Sequence, residues 1–192
     1  MVLPSRYVPV VQRDVEMNMS SKGLVYLRPS RMVYVRVCGP YRDSIPAAWD
    51  KMLDWLDRNG FNSPVGRGYG LVRDNHNIVA PEACRYDACV DLDPFFEERA
   101  SRELAIQTMP GGSYVRSRKK GDYADITRLM LKMHSTFEPA PGLKLDDRRP
   151  IVTIFLDDPR RIDLDDLRAD VCVPVSAKVA RARDEMSASE AA

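Results

Sequence analysis

The sequence has few residues of the types that build metal sites. It contains two histidines, His76 and His134, and four cysteines, and no two cysteines stand in a Cys-x-x-Cys pair. Zinc sites are usually built from closely spaced cysteine and histidine residues. The sequence therefore predicts no metal site and no cofactor. We interpret the cysteines as small buried side chains that stay reduced.

Long apolar runs and an excess of charge are also missing. No apolar stretch approaches the roughly 20 residues of a membrane-spanning helix. The first residues are interrupted by Pro4, Arg6 and Pro9, and they lack the apolar stretch of about 7–15 residues of a signal peptide. The 29 basic and 28 acidic residues give a formal net charge of +1, which provides no overall attraction to nucleic acid or anionic membranes. We therefore expect a cytoplasmic protein that does not associate with a membrane.

What the sequence does contain is one unit that occurs twice. The segment 85–90 (RYDACV) returns as 168–173 (RADVCV), and the segment 34–36 (YVR) returns as 114–116. The offset between the two occurrences is nearly the same in both cases, and this uniformity predicts two copies of one supersecondary unit. Two copies are too few for a solenoid, so they should close on each other and leave a ligand groove at the seam.

Each copy shows the pattern of one helix and several strands. In the first copy we expect a helix capped by Ser44, and its buried stripe is Ile45, Trp49, Met52 and Leu56. The same stripe recurs in the second copy as Ile126, Met130, Met133 and Phe137, which predicts the second helix. Runs rich in β-branched and aromatic residues predict strands at 23–28, 32–38, 69–73, 85–92, 105–109, 114–118, 151–156 and 170–175.

These elements define the predicted fold. It is α+β, with two tandem β-α-β-β repeats that form a curved antiparallel sheet of pseudo-two-fold symmetry, a helix in each half and a central groove. The first repeat covers about 23–93 and the second about 104–176, so that the domain spans 23–176. Residues 1–22 are interpreted as an N-terminal extension and 177–192 as a C-terminal tail.

Several segments resemble a known family. They are VYVRVCGPY (33–41), CRYDACVDL (84–92), MPGGSYVRSRKKGDY (109–123) and TIFLDDP (153–159), followed by DLRADVCVPV. Together they resemble the GyrI-like effector-binding domain, which occurs in AraC-type and MerR-type transcription regulators and also as a stand-alone protein. The resemblance implies a groove between the repeats that binds small, often cationic and aromatic, molecules. The segment 1–22 is too short for a DNA-binding region, so we expect no direct DNA binding.

The chain departs from the family pattern at the groove floor. Many members read Phe-Glu-x-Tyr-Leu where this chain has the segment 152–156 (VTIFL), so Thr153 stands at the glutamate position and Phe155 at the tyrosine position. In the family the glutamate contacts cationic ligands, and in some members it serves hydrolysis of cyclopropane-containing toxins. A threonine hydroxyl carries no charge and is no general base near neutral pH. A neutral or less basic ligand is therefore expected.

The resemblance also supplies the candidate binding residues. Thr153 and Phe155 lie on one face of their strand because side chains alternate, and the family places that face in the groove. Aromatic candidates for the groove wall are Trp49, Tyr69, Tyr114 and Tyr41, since aromatic rings suit flat ligands. The alternative for each of them is ordinary core packing. No catalytic residue is assigned.

The predicted function is that of a stand-alone protein that binds a small, aromatic organic ligand and senses or sequesters it. The first alternative is a protein partner, either a topoisomerase, as for family members that inhibit DNA gyrase, or a transcription regulator. The second alternative is a hydrolase that uses another acid in the groove, with Glu82, Asp87 and Asp170 as candidates. For Asp87 and Asp170, which the repeat relates to each other, structural ion pairing is the favoured interpretation.

Overall fold

The structure is a computed structural model that describes residues 23–61, 67–91, 100 and 102–178. The predicted N-terminal extension and nearly all of the predicted C-terminal tail lie outside these residues. Within them, no helix is long and apolar enough to cross a membrane. The described residues also contain no cluster of histidine, cysteine and acidic side chains that could hold a metal ion.

The secondary structure follows the duplicated pattern. The first copy consists of β1 (Gly23–Leu27), β2 (Ser30–Cys38), α1 (Tyr41–Arg58), β3 (Gly68–Val72) and β4 (Arg85–Asp91). The second copy consists of β5 (Ala105–Met109), β6 (Gly112–Lys120), α2 (Tyr123–Thr136), β7 (Leu143–Leu145), β8 (Ile151–Phe155) and β9 (Arg168–Ala177). The predicted α+β class is confirmed.

The strands of the described residues form one antiparallel sheet that curls strongly into a half-barrel. Its order is β1-β6-β9-β8-β3-β4-β2-β5, with β7 paired to the end of β9. The two copies therefore meet at β3 and β8, in the middle of the sheet. The first strand of each copy lies at the outer edge of the other copy, because β1 pairs with β6 and β5 pairs with β2. Each half of the sheet therefore contains strands from both copies.

Two buried carboxylates hold neighbouring strands together in the same way in both copies. The guanidinium group of Arg36 donates to both oxygens of Asp87, at 2.6 and 2.9 Å. In the second copy Arg118 donates to both oxygens of Asp170, at 2.7 and 2.9 Å. The structural interpretation of Asp87 and Asp170 is thus confirmed, and each partner arginine comes from the adjacent strand.

A second pair of ion pairs fixes the start of β4 and of β9. The backbone N–H of Arg85 and its guanidinium group donate to the carboxylate of Asp74 at 2.6–2.9 Å. Arg168 makes the same three contacts with Asp157 at 2.6–3.0 Å. The duplication is therefore visible at the level of single hydrogen bonds.

The first helix begins earlier than the sequence predicts. The prediction of Ser44 as the N-cap is wrong, because α1 begins at Tyr41 with Pro40 as its N-cap. Gly39 has a φ of 143°, a backbone conformation that turns the chain directly from β2 into the helix and that L side chains rarely adopt. Ser44 is consequently buried inside the helix.

One strand lies in a segment where the sequence predicts no strand. Residues 143–145 (LKL) form β7 and pair with residues 175–177 of β9. So short a segment cannot show the period-2 alternation by which strands are recognised. The pairing partner, a β9 that is longer than predicted, is what makes this segment a strand.

The two faces of the sheet bury different sets of side chains. On one face α1 and α2 pack against each other and against the strands; we call it the helix face. The side chains of Phe155, Tyr86 and Val72 belong to this layer. The opposite face carries a separate cluster of strand residues: Met32, Tyr69, Leu71, Cys89, Met109, Tyr114, Val152, Ile154 and Cys172.

We predict that Asp87→Asn lowers the free energy of unfolding by about 3 kcal/mol, because it removes the charge of a fully buried group that pairs with Arg36 and Arg73. Asp87 is 0% exposed and also receives hydrogen bonds from Arg73 and Gln107. Asp54→Asn is the control, since the Asp54–Arg58 pair is exposed and its loss should cost less than about 0.5 kcal/mol. Urea denaturation at pH 7 measures both.

The ion pairs of Asp87 also predict that the stability of the protein depends on pH. Burial raises the pKa of Asp87, but hydrogen bonds from Arg36, Arg73 and Gln107 outweigh it and hold the pKa below its usual value. A lowered pKa stabilises the protein above the unfolded value of about 3.9, and this stabilisation is lost as the pH falls through the folded pKa. Denaturation midpoints between pH 5 and pH 2 should therefore fall less steeply for Asp87→Asn than for the wild type. If the midpoints of the two proteins fell equally steeply with pH, the lowered pKa of Asp87 would be contradicted.

Candidate functional site

The candidate site lies on the helix face, where β3 and β8 join the two copies. Thr153, in the middle of β8, is opposite Gly70 of β3 and Val171 of β9. Its side chain is 2% exposed. Because side chains alternate along a strand, Phe155 lies on the same face as Thr153. Thr153 thus lies in the middle of the helix face, where the two copies meet.

Two glycines of β3 make room for large aromatic side chains. A Cβ atom at Gly68 would overlap the ring of Trp49, and one at Gly70 would overlap the ring and the hydroxyl oxygen of Tyr86. Any larger residue at either position therefore displaces the ring. The sequence Gly-x-Gly in β3 allows these aromatic rings to rest directly on the backbone of the sheet.

Four aromatic rings form the body of the site. The indole N–H of Trp49 donates to the hydroxyl of Tyr86 at 3.0 Å. The ring of Phe155 makes edge contacts with Trp49, at a centroid distance of 5.1 Å, and with Tyr123, at 5.7 Å. We call Trp49, Tyr86, Tyr123 and Phe155 the aromatic cluster. The cavity that remains beside it has a volume of about 10 Å³, which is room for about one water molecule.

The tyrosines of the cluster remain protonated. Burial raises the pKa of Tyr86 well above its usual value, although the hydrogen bond from Trp49 lowers it. Burial, together with the charges of Asp50 and Asp158, also raises the pKa of Tyr123. Both hydroxyl groups are therefore hydrogen-bonding groups at neutral pH and do not act as bases.

The acid beside the cluster is already bound. Asp157 lines the small cavity with Trp49 and Phe155, and hydrogen bonds from Arg168 hold its pKa below the usual range. Asp87 and Asp170 point to the other side of the sheet, since the strand neighbours Tyr86 and Ala169 face the helices. Glu82 is exposed in the turn before β4. The carboxylates considered for hydrolysis therefore do not reach the aromatic cluster.

Comparison with known proteins agrees with this architecture. The family profile of the GyrI-like small molecule binding domain matches residues 24–176. The chain belongs to this family.

Two curated relatives of the GyrI-like domain have names that describe different roles. A DNA gyrase inhibitor from Serratia proteamaculans (strain 568) is 30% identical over 114 residues, which cover 58% of this chain and 72% of that protein. A probable transcriptional regulator, YgiV, from Escherichia coli (strain K12) is 27% identical over 129 residues, which cover 66% of this chain and 78% of that protein.

Among solved structures, SAV2435 bound to tetraphenylphosphonium has the same fold. It superposes with a TM-score of 0.54 and 11% sequence identity, over 81% of this chain and 94% of that chain. A likeness at this identity establishes the shared fold, and the small-molecule ligand belongs to SAV2435.

Two predicted wall residues of the GyrI-like domain lie away from the aromatic cluster. Tyr69 and Tyr114 belong to the buried cluster of the opposite face. The hydroxyl of Tyr114 donates to the carbonyl of Pro110 at 3.2 Å, and the guanidinium group of Arg149 lies 4.8 Å from its ring centre. The sheet separates both tyrosines from Trp49, so the six predicted residues do not line one groove.

Tyr41 lies at the first turn of α1. Its hydroxyl donates to the backbone carbonyl of Asp74 at 2.8 Å, which fastens the helix to the end of β3. Tyr123 holds the equivalent position in the second copy, but its ring contacts Phe155. The structure thus brings together Trp49, Thr153 and Phe155 from the predicted set.

Sequence reasoning missed four residues of the site: Gly68, Gly70, Tyr86 and Tyr123. The repeat gave a signal for Tyr123, since it follows the Gly-x-Tyr pattern that also contains Tyr41. The glycines also gave one, because glycine weakens a strand interior and often marks a close approach. The sequence offers no such signal for Tyr86, because an aromatic residue is common in a strand.

We predict that Gly70→Ala lowers the free energy of unfolding by about 2 kcal/mol, because the added methyl group overlaps the fully buried ring of Tyr86. Gly23→Ala is the matched control, since a Cβ atom there meets nothing within 4 Å, and it should change stability by less than about 0.5 kcal/mol. Urea denaturation measures both variants. If Gly70→Ala were as stable as Gly23→Ala, the close contact in β3 would be refuted.

Proposed function

We propose that this GyrI-like domain binds an uncharged aromatic small molecule at the aromatic cluster. The observation that carries the proposal is the buried hydroxyl of Thr153 on the floor of the site. A cationic ligand placed against this floor would lose its hydration, because Thr153 carries no charge and Asp157 is already bound by Arg168, and that loss is costly in an apolar site. An uncharged ligand does not incur it.

The cluster offers contacts that suit such a ligand. Trp49, Tyr123 and Phe155 already pack edge to face with one another, and an aromatic ring of a ligand would find the same geometry. The indole N–H of Trp49 and the hydroxyl of Tyr86 form a buried hydrogen bond that a ligand oxygen would exchange for its own. Affinity would therefore come from apolar burial, and orientation from one or two hydrogen bonds.

Binding requires the cluster to open. The small cavity beside Phe155 and Trp49 has a volume of about 10 Å³, whereas ligand pockets usually exceed about 300 Å³. The ring of Trp49 must therefore turn away so that the ligand replaces it over Gly68 of β3. The partner we infer is thus a small molecule that competes with the protein's own side chains.

The test uses two compounds that both carry three or more phenyl rings on a tetrahedral phosphorus atom and that differ in charge. Triphenylphosphine oxide is neutral and carries an acceptor oxygen, and tetraphenylphosphonium is a cation. Isothermal titration calorimetry should show at least about tenfold tighter binding of the oxide to the wild type, which corresponds to about 1.4 kcal/mol. The variant Thr153→Glu should reverse this order, because it places a carboxylate against the cation.

Two further variants test which side chains of the site contribute to binding. Thr153→Val keeps the shape of the side chain and removes its hydroxyl group, so it should retain both compounds with a smaller preference for the oxide. Phe155→Ala removes the central ring and should weaken both compounds. Tighter binding of tetraphenylphosphonium to the wild type, or affinities that none of the three variants changes, would refute the proposed site.

A role in sensing or sequestration fits a ligand-binding domain of this kind, and we infer that it acts in the cytoplasm. Three of the four cysteines are buried, and all four are free thiols, which suits a reducing compartment. Fractionation of cells that express the tagged protein measures the compartment. Recovery outside the cytoplasm would contradict this inference.

Inhibition of DNA gyrase is a second candidate, which the 30% identical relative from Serratia proteamaculans supports. A supercoiling assay with purified gyrase tests it directly. Inhibition at a stoichiometric ratio of this protein to gyrase would establish a protein partner. Full supercoiling activity at a tenfold excess would leave ligand binding as the function.

A further inference from the structure

A larger cavity lies on the helix face at the other end of the central strands. Its volume is about 300 Å³. Val72, the last residue of β3, and Ile151, the first residue of β8, form its floor with Val173 of β9. The aromatic cluster lies where the same two strands have Gly68 and Phe155, so the two sites occupy opposite ends of the β3–β8 pair.

The duplication explains why this end is open. The repeat relates Val72 of β3 to Phe155 of β8, and it relates Met130 of α2 to Trp49 of α1. Aromatic rings therefore fill the space at one end, whereas a valine and a methionine stand at the related positions of the other end. Val72, the smaller counterpart of Phe155, lines the cavity.

Most charged groups around the cavity are bound to protein partners. Arg73 donates to Asp87 and Gln107, and both oxygens of Asp74 accept from Arg85. Arg149 donates to Asp146 and to the carbonyls of residues 111, 113 and 175. These ion pairs build the wall and have little capacity left for a ligand.

Asp147 and His134 differ from these groups. Both line the cavity, Asp147 is exposed at its mouth, and no ion pair within the described residues involves it. His134 comes from α2, and its ring centre lies 5.3 Å from that of His76, whose buried Nδ1 has no hydrogen-bond partner among the described residues. The mouth therefore carries a free negative charge beside two imidazoles.

The imidazoles remain neutral at neutral pH. Burial and then the neighbouring His76 lower the pKa of His134, while the charge of Asp147 acts in the opposite direction. Burial also lowers the pKa of His76. Asp74, Asp146, Arg73 and Arg149 face the same cavity, but their charges are compensated within the ion pairs described above. Among the acidic side chains that line the cavity, Asp147 is thus the one without an ion pair within the described residues.

We propose that this cavity is a second binding site, which takes a compact alkyl amine. The aliphatic floor of Val72, Ile151 and Val173 would bury the alkyl chain, and Asp147 would pair with the ammonium group. The volume lies at the lower end of ligand pockets, so the ligand is a small one. The side chain of Ile78, which is 82% exposed beside the mouth, would gain an apolar partner.

The experiment is an NMR titration of the whole protein with three compounds of equal chain length: hexylamine, hexanol and hexanoate. At pH 7.5 hexylamine should shift the amide signals of Val72, Ile151 and Val173, and it should bind about fivefold more tightly than hexanol, the most that one exposed charge pair usually contributes. Hexanoate should bind more weakly than hexanol. Equal affinity for hexylamine and hexanol would overturn the assignment of an amine.

Variants locate the site. Asp147→Asn should reduce the affinity for hexylamine by about fivefold, whereas the control Asp165→Asn, an exposed acid on the turn before β9, should leave it unchanged. Val72→Phe copies the residue of the other copy, fills the cavity and should abolish binding. Since Asp147 is exposed, the comparison of the two aspartate variants decides the outcome even if Val72→Phe does not fold. Equal effects of the two substitutions would overturn the proposal.

Thr153→Val separates this site from the aromatic cluster. It should not change the affinity for hexylamine, because Thr153 does not line the cavity. If hexylamine instead shifts Thr153 and Phe155, the amine binds at the aromatic cluster and the second site is refuted. Failure of the triphenylphosphine oxide experiment leaves this result intact.

Discussion

The pairing of β3 with β8 is the interaction on which the rest of the molecule depends. This antiparallel register sets Gly70 opposite Thr153 and Gly68 opposite Phe155, so that Phe155 of the second copy meets Trp49 of the first. A slip by one residue would move every side chain of a strand to the other face, and Thr153 would leave the site. Exchange of the strands β1 and β5 between the copies fixes the outer edges of the same sheet.

The two copies share the same buried ion pairs, but they differ in the side chains that pack over the centre of the sheet. The hydrogen bonds of Arg36 with Asp87 measure 2.6 and 2.9 Å, and those of Arg118 with Asp170 measure 2.7 and 2.9 Å. Those positions tolerate little change, because a buried carboxylate without its donors is costly. Side chains over the centre of the sheet carry no such constraint. One end has therefore acquired a closed aromatic cluster, and the related end an open cavity with an aliphatic floor.

The framework could be predicted from the sequence, and much of the site could not. The uniform offset between the copies identifies both helices and most strands, because each element occurs twice and confirms its counterpart. Side-chain alternation places Thr153 and Phe155 together. It does not reveal which face Tyr69 or Tyr114 shares with Trp49, since that depends on how strands from distant segments pair. Residue Ser44 shows a local limit: it is a good capping residue, but Gly39 starts the helix earlier.

Closure of the aromatic cluster also determines how tightly a ligand binds. Packing among Trp49, Phe155 and Tyr123 stabilises the free protein, and a ligand must displace part of it. If the open form is a small fraction of the molecules, the apparent dissociation constant rises in inverse proportion to that fraction. A compound that merely replaces one ring contact gains little. The site should therefore prefer ligands that bury more apolar surface than the ring they displace. Such ligands must also satisfy the hydrogen bonds of Trp49 and Tyr86.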